Sequence, residues 1–261
     1  MSTELETGPA SPRITRVAPV EDARAWARAL AAFHPGRAAQ LKIDGSAAVW
    51  RADLAGRSVV IKTWAMRSFA DRLKLACRMA RGDRHWRGAR WLLDNGFHTA
   101  RPLVLATDRG PAGPRQWLVM EYLDGPTVLD CIIDGTLAAK DEHGLARALA
   151  SQVSEMVALG RFNRDHKPSN LIVTGVGTAS PRVAIIDCVA IRKCRRFDFS
   201  MMRRMLASLY IEPLGLGAPP RRSLCMRALT SIDARSWWQT LEHLVVSHGD
   251  PRSRVDPRAG R

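Results

Sequence analysis

Asn163-Arg164-Asp165-His166-Lys167-Pro168-Ser169-Asn170 concentrates more chemistry than any other eight residues of the chain. A helix-spaced apolar stripe precedes it (Leu145, Leu149, Val153, Met156 and Leu159), and Gly160 marks its end. The β-rich run Leu171-Ile172-Val173 follows. One short loop therefore carries a carboxylate, then a cation, then a carboxamide, with Pro168 stiffening the backbone ahead of the strand. A polar turn between a helix and a strand would look much the same, so the weight falls on what lies around it.

Working outward, Ile185-Ile186-Asp187 ends a second short apolar strand, RVAIID, separated from LIVTG by a Gly/Thr/Ser turn. Upstream, Val59-Val60-Ile61-Lys62 closes the alternating stretch AAVWRADLAGRSVVIKTW, whose Ala55-Gly56-Arg57 centre predicts a hairpin. Ser68 to Leu93 is helical in character, with Gly82 expected to break or bend it and Gly96 to end it. RPLVLATD and RQWLVMEYL flank the turn DRGPAGP and predict another hairpin. Val20 to Phe33 has helical spacing, and MMRRMLASLY, RSLCMRALTSI and SWWQTLEHLVV predict further helices. The order is a β-rich region with one long helix, then helices around a small hairpin, joined near EYLDGPT. The expected division is a flexible lead over 1–15, an N-lobe with a leading helix over 16–123, a C-lobe over 124–248 and a disordered basic tail over 249–261.

Bulk properties narrow the classes. The formal charge of +15 attracts polyanions, although an arginine-favouring genome would give the same excess. Five cysteines with no C-x-x-C pair argue against a disulfide framework and for a reducing, cytoplasmic setting. The polar N-terminus has no signal-peptide pattern, and no apolar run approaches the ~20 residues that span a bilayer. Membrane contact is thus expected only at a surface. The basic residues are scattered and no aromatic-studded RNA motif accompanies them, so no nucleic-acid partner is expected.

The loop compares with the H-R-D-L-x-x-x-N catalytic loop of kinases, with Arg, Asp and Asn at matching offsets. Phosphoryl transfer needs a carboxylate to orient the acceptor hydroxyl, a cation near the γ-phosphate and oxygen ligands for Mg²⁺. Asp165, Lys167 and Asn170 can supply these in turn, with Asp187 where kinases place a second metal ligand. Lys62 matches the strand lysine that reaches the α- and β-phosphates of ATP. Leu118 to Leu123 resembles a hinge whose backbone, at Glu121 and Leu123, would hydrogen-bond adenine. Gly45 and Ser46 would cradle phosphate through backbone N–H groups.

Within that superfamily the chain resembles the lipopolysaccharide core kinases, the Kdo/WaaP group. The resemblance rests on RHWRGARWLLDNGFHTARPLVLA, WLVMEYLDG, GRFNRDHKPSNLIV, RVAIIDCVAIRK and RRSLCMRALTSI, which together span most of residues 41–232. It implies a protein-kinase-like two-lobed α+β fold, with a small β-rich N-lobe, a helical C-lobe and ATP and Mg²⁺ near residue 121. It also implies an anionic glycolipid or sugar as acceptor, at the inner face of the cytoplasmic membrane. The basic run Arg192 to Arg196 then falls beside the acceptor, where it could bind glycolipid phosphates; a solvated turn is the plainer alternative.

Four departures stand out. The glycine loop is poor, and no glutamate lies between Lys62 and Glu121, which leaves Asp83 as the substitute partner for the lysine. Cys188-Val189 replaces the Phe-Gly after the metal aspartate, and Asn163 replaces the loop histidine. A protein Ser/Thr kinase and a nucleotide-binding pseudokinase with a regulatory role remain as alternative readings.

Overall fold

The structure is a computed structural model and describes residues 12–45, 47–110, 113–135, 137–175 and 181–247. The chain divides into two compact units, Met1–Asp94 with Ala100–Tyr122, and Asn95–Thr99 with Leu123–Arg261.

The first unit is built from β1 (Arg13–Val17), α1 (Ala23–Ala31), β2 (Ala39–Asp44), β3 (Ala47–Leu54), β4 (Arg57–Ala65), α2 (Phe69–Ala76), α3 (Arg81–Asp94), β5 (Pro102–Gly110) and β6 (Gly113–Glu121). Its strands form one antiparallel sheet of six, in the order β1-β5-β6-β4-β3-β2. The β3–β4 hairpin turns at Ala55 and Gly56, both at positive φ (50° and 77°). That geometry matches the twist of the flanking strands.

Alternation along β4 divides the sheet into two faces. Val59 and Ile61 are wholly buried against Trp26 and Leu30 of α1, together with Trp50, Val104, Trp117 and Val119. Burying a side chain such as Ile61 contributes about 1.5–3 kcal/mol, so this cluster holds α1 to the sheet. Lys62 points to the opposite face, paired across the ladder with Val49 and Leu118. On that face α3 packs so closely that a Cβ on Gly82 would stand 2.7 Å from Gln116 Oε1 and 2.8 Å from Leu105 Cδ1.

Two expectations are corrected here. Gly82 does not break the helix; it lies in the first turn of α3, and the break falls at Cys77–Ala80, between α2 and α3. Glycine is needed there for close approach, not for flexibility. The lead expected to be flexible through residue 15 ends in the first three residues of β1, a strand hydrogen-bonded to β5, with Thr15 Oγ1 also donating to Leu105 O at 2.9 Å. Residues 1–11 and 248–261 lie outside the described residues, and with them the whole of the expected tail, 249–261.

The second unit comprises α4 (Val128–Asp134), α5 (Ala139–Ala158), β7 (Arg161–Asn163), a 3-10 turn at Pro168–Asn170, β8 (Leu171–Thr174), β9 (Arg182–Ile185), β10 (Ile191–Lys193), α6 (Phe199–Gly215), α7 (Arg222–Ser231) and α8 (Trp238–Ser247). Two small antiparallel pairs, β7–β10 and β8–β9, sit among the helices. The core face of α5 is Leu145, Ala146, Ala150, Val153, Met156 and Val157. Leu159 is 44% exposed, because a 3.6-residue repeat carries the stripe to Met156 and Val157 and past Leu159. The segment Asn95–Thr99 is stitched to β9 by Ile185 N–H donating to His98 O at 3.1 Å, with Thr99 Oγ1 donating to Ile185 O at 2.5 Å. No described helix is long and apolar enough to cross a membrane.

Candidate active site

In the second unit the loop after β7 is held from several directions. β7 pairs with β10, Asn163 opposite Ile191, and Arg164 N–H donates to Ala190 O at 3.2 Å. These contacts bring the segment after Asp187 alongside the loop. Asn163 is buried, and its Oδ1 accepts Asp165 N–H at 3.1 Å while its Nδ2 donates to the Asp187 carbonyl at 3.5 Å. The residue standing where a histidine was expected therefore ties the two acidic segments together.

Asn170 orients Asp165 directly. Its Nδ2 donates to Asp165 Oδ2 at 3.0 Å and to Asp165 O at 3.1 Å. The Asn170 carbonyl accepts Ile186 N–H at 3.0 Å, which sets Asp187 next in line. Asp187 Oδ1 accepts Val189 N–H at 3.1 Å. With Nδ2 committed to Asp165, the Asn170 carboxamide has its oxygen to offer a cation. A carboxamide and a carboxylate oxygen are hard donors that suit Mg²⁺, an ion that keeps waters and phosphate oxygens in its remaining positions. Among the described residues no group of three or more His, Cys, Asp or Glu could hold a metal ion.

Lys167 Nζ stands 3.8 Å from Asp165 Oδ1 and 3.9 Å from Glu212 Oε1. Both distances exceed hydrogen-bonding range, so the ammonium is held by charge without a fixed donor geometry. His166 is wholly buried, and burial pushes its imidazole down from 6.5 to about 4. It is a neutral part of the core, and neither ring nitrogen has a hydrogen-bond partner among the described residues.

Sequence reasoning missed Glu212. From α6 its carboxylate accepts Ser169 N–H at 2.8 Å and Ser169 Oγ at 2.6 Å, anchoring the loop from beneath. Its one signal is an acidic residue, placed just before Pro213, in an otherwise apolar and basic helix.

The remaining expected residues belong mostly to the first unit. Lys62 lies on the sheet face that α3 covers. Asp83, the expected glutamate substitute, is buried at the start of α3, where its carboxylate accepts from Gln116 Nε2 at 2.8 Å and pairs with Arg16 at 3.6 Å. Gln116 lies two residues from Leu118, the cross-strand partner of Lys62, so Asp83 is on the lysine's face of the sheet. Gly45 is an exposed turn residue at φ 52° between β2 and β3, and Ser46 lies outside the described residues. Glu121 ends β6, with its carboxylate gripped by Arg101 at 2.6 and 3.0 Å and its N–H given to Arg101 O. Leu123, the first residue of the second unit after β6, is half-buried.

Comparison with known proteins agrees with this architecture. No protein-family model matches the chain. A solved structure titled "WaaP in complex with acyl carrier protein" superposes with a TM-score of 0.58 at 18% identity, over 84% of this chain and 89% of that one. A "Probable serine/threonine-protein kinase PkwA" of Thermomonospora curvata is 32% identical over 89 residues, 34% of this chain. The chain spans only 11% of that relative's length. The fold is the mixed α+β fold shared with that solved structure.

Proposed function

We propose that the chain is an ATP- and Mg²⁺-dependent phosphotransferase acting on a hydroxyl, with a sugar of lipopolysaccharide core or a related glycolipid as the preferred acceptor. The observation that carries this reading is the Asn170–Asp165 hydrogen bond at 3.0 Å, in a loop that Asn163 ties to Asp187. That arrangement presents an oriented carboxylate beside hard oxygen donors, the minimum that phosphoryl transfer asks of a protein.

In this reading Lys62 holds the α- and β-phosphates, while Glu121 and Leu123 offer backbone groups to adenine. Gly45 and Ser46 cover the phosphates. Asn170 and Asp187 hold Mg²⁺, which when bound supplies charge neutralisation to the phosphate oxygens. Asp165 orients the acceptor hydroxyl. The acceptor oxygen bonds to the γ-phosphorus, the bond from that phosphorus to the β,γ-bridging oxygen breaks, and the hydroxyl proton passes to the Asp165 carboxylate. Lys167 offsets the negative charge that develops on the transferred group. Glu212 acts through Ser169 and is a positioning residue.

The sugar acceptor rests on the sequence resemblance to the lipopolysaccharide core kinases, supported by the WaaP-like fold. Arg192 is half-buried and Lys193, Arg195 and Arg196 are exposed, so the basic run is available to phosphate groups on such an acceptor. The similarity to PkwA favours a second reading, transfer to protein serine or threonine. Incubation with γ-labelled ATP and parallel acceptor pools tests the choice. Label on core glycolipid supports the first reading; label on protein serine alone moves the acceptor to the second. ATP binding without transfer to any pool would leave a nucleotide-binding regulatory module.

A further inference from the structure

The first unit carries a surface that nucleotide chemistry does not explain. Helix α2 is capped at both ends yet buries none of its own side chains. Ser68 and Asp71 form a capping box at its start, with Ser68 Oγ accepting Asp71 N–H at 3.1 Å. At its end Met79 N–H donates to Lys74 O at 2.7 Å and Arg78 N–H to Leu75 O at 3.1 Å, the paired bonds of a Schellman close. A two-turn helix is marginal by itself, so these caps preserve an element that contributes almost nothing to the core.

What it presents instead is apolar and cationic together. Phe69 is 80% exposed and Leu73 53%, with Met79 at 57% just beyond the helix end. Phe69, Arg72, Leu73 and Ala76 share one face by their three- and four-residue spacing. From residue 67 to residue 81 the charges are Arg67, Arg72, Lys74, Arg78 and Arg81 against Asp71 alone. Hydrogen bonds from Ser68, side chain first, hold the Asp71 carboxyl below its ordinary range, so it remains an anion engaged in the cap.

Beside this face lies a cavity of about 430 Å³ lined by Arg13 and Arg16 of β1, by Arg72 and Arg78, and by Asp83 and Gln116. Four arginines and one aspartate line it. Asp83 is occupied by Gln116 and Arg16, while Arg13, Arg72 and Arg78 have no ion-pair partner among the described residues. Arg78 sits at φ 55°, the left-handed position that closes a helix and that glycine normally fills. The cap needs that backbone position but not an arginine in it, and the arginine side chain lines the cavity.

We propose that α2 is a docking site for an anionic bilayer surface, with a lipid phosphate held in the arginine cavity and Phe69, Leu73 and Met79 entering the boundary between headgroups and acyl chains. Guanidinium groups match phosphate geometry, and exposed aromatic and aliphatic side chains beside basic ones are the pattern of an interfacial helix. A nucleic acid would leave the aliphatic side chains without a partner. The site extends the glycolipid reading above, by saying how the enzyme would reach a lipid-borne acceptor, but it requires neither nucleotide nor turnover.

Flotation of the full chain with vesicles tests it, using phosphatidylcholine alone against equal parts phosphatidylcholine and phosphatidylglycerol. Binding is expected only to the mixed vesicles and should weaken with salt. The Phe69→Ser, Leu73→Ser double variant and the Arg72→Gln, Arg78→Gly double variant should each bind about tenfold more weakly. Both sets change exposed residues, and Arg78→Gly puts glycine where the backbone favours it, so Tm should hold and a loss cannot be ascribed to unfolding. Inorganic pyrophosphate identifies the phosphate part, and its competition with vesicles for the wild type supports the assignment. Equal binding to both vesicle types, or unchanged binding by the serine variant, overturns it. So does pyrophosphate binding without any vesicle binding, or an α2-dependent dimer formed without lipid. None of these failures touches the phosphotransfer reading, which ATP consumption tests separately.

Discussion

Glu212 accepts both the N–H and the hydroxyl of Ser169, at 2.8 and 2.6 Å, across 43 residues of sequence. The loop that presents Asp165 and Asn170 is thereby pinned to α6 at its centre, and Lys167 shares the same carboxylate at 3.9 Å. Glu212→Ala leaves the Ser169 N–H without its acceptor and should cost about 1–3 kcal/mol of stability. Steady-state ATP consumption should show kcat down about tenfold or more with KM for ATP little changed, the signature of a positioning loss. Glu212→Gln keeps an acceptor oxygen and should recover part of the rate. If KM alone responds, Glu212 has another role.

His166 makes stability depend on acidity. Its imidazole titrates at about 4 in the folded chain and near 6.5 when unfolded. The folded state is therefore favoured fully above 6.5. As pH falls from there toward 4, the unfolded chain takes up a proton that the folded chain refuses. The loss approaches 1.4 kcal/mol per pH unit, about 3 kcal/mol across the window. Urea unfolding between about pH 7 and about pH 4.5 should show this slope, and His166→Leu should flatten it. An unchanged slope in the variant would assign the effect elsewhere.

Gly125 lies just past the segment that leads out of β6, at φ 144°, and a Cβ there would overlap the Val173 carbonyl oxygen and press on Ile172. The neighbouring backbone cannot yield easily, because Val173 N–H is donated to Pro126 O at 2.9 Å and Thr127 bridges Ile172. Gly125→Ala should destabilise the second unit by about 2–4 kcal/mol, read as a fall in its denaturant midpoint. Gly45→Ala is the control, since a Cβ there meets nothing within 4 Å. It should cost only the strain of its positive φ, about 1 kcal/mol.

Lys62 is proposed to hold the nucleotide phosphates. Lys62→Met keeps the length and apolar stem of the side chain while removing its charge. It should lower ATP turnover by on the order of 100-fold while leaving Tm near that of the wild type. Turnover within a few-fold of wild type would remove Lys62 from the site.

Much of this arrangement was legible in the sequence because its signals are local. The Ala55-Gly56 hairpin, the strand that carries Lys62 and the loop from Asn163 to Asn170 each depend on residues a few positions apart. Their order along the chain was enough to indicate the fold. What escaped notice depends on distant contacts. Strand β1 is a short polar-alternating run whose partner β5 lies about ninety residues away, and nothing within RITRV distinguishes it from a flexible lead. Gly82 looked like a helix breaker because the opposing Gln116 and Leu105 are invisible from its neighbours. Glu212 could have been noticed as a lone acid in α6, but no spacing rule links it to Ser169. Asn163, by contrast, was noticed as a departure, and the structure gives it a positive role through Asp165 and Asp187.

Mg²⁺-dependent ATP consumption by the purified chain, wild type against Asp165→Asn and with core glycolipid supplied, bears on the phosphotransferase reading most directly. The substitution keeps the shape of the side chain and removes the carboxylate that would take the acceptor proton. Glycolipid-stimulated consumption in the wild type, reduced by about 100-fold or more in the variant, is the predicted result. Consumption that ignores both the glycolipid and the loss of Asp165 would contradict it.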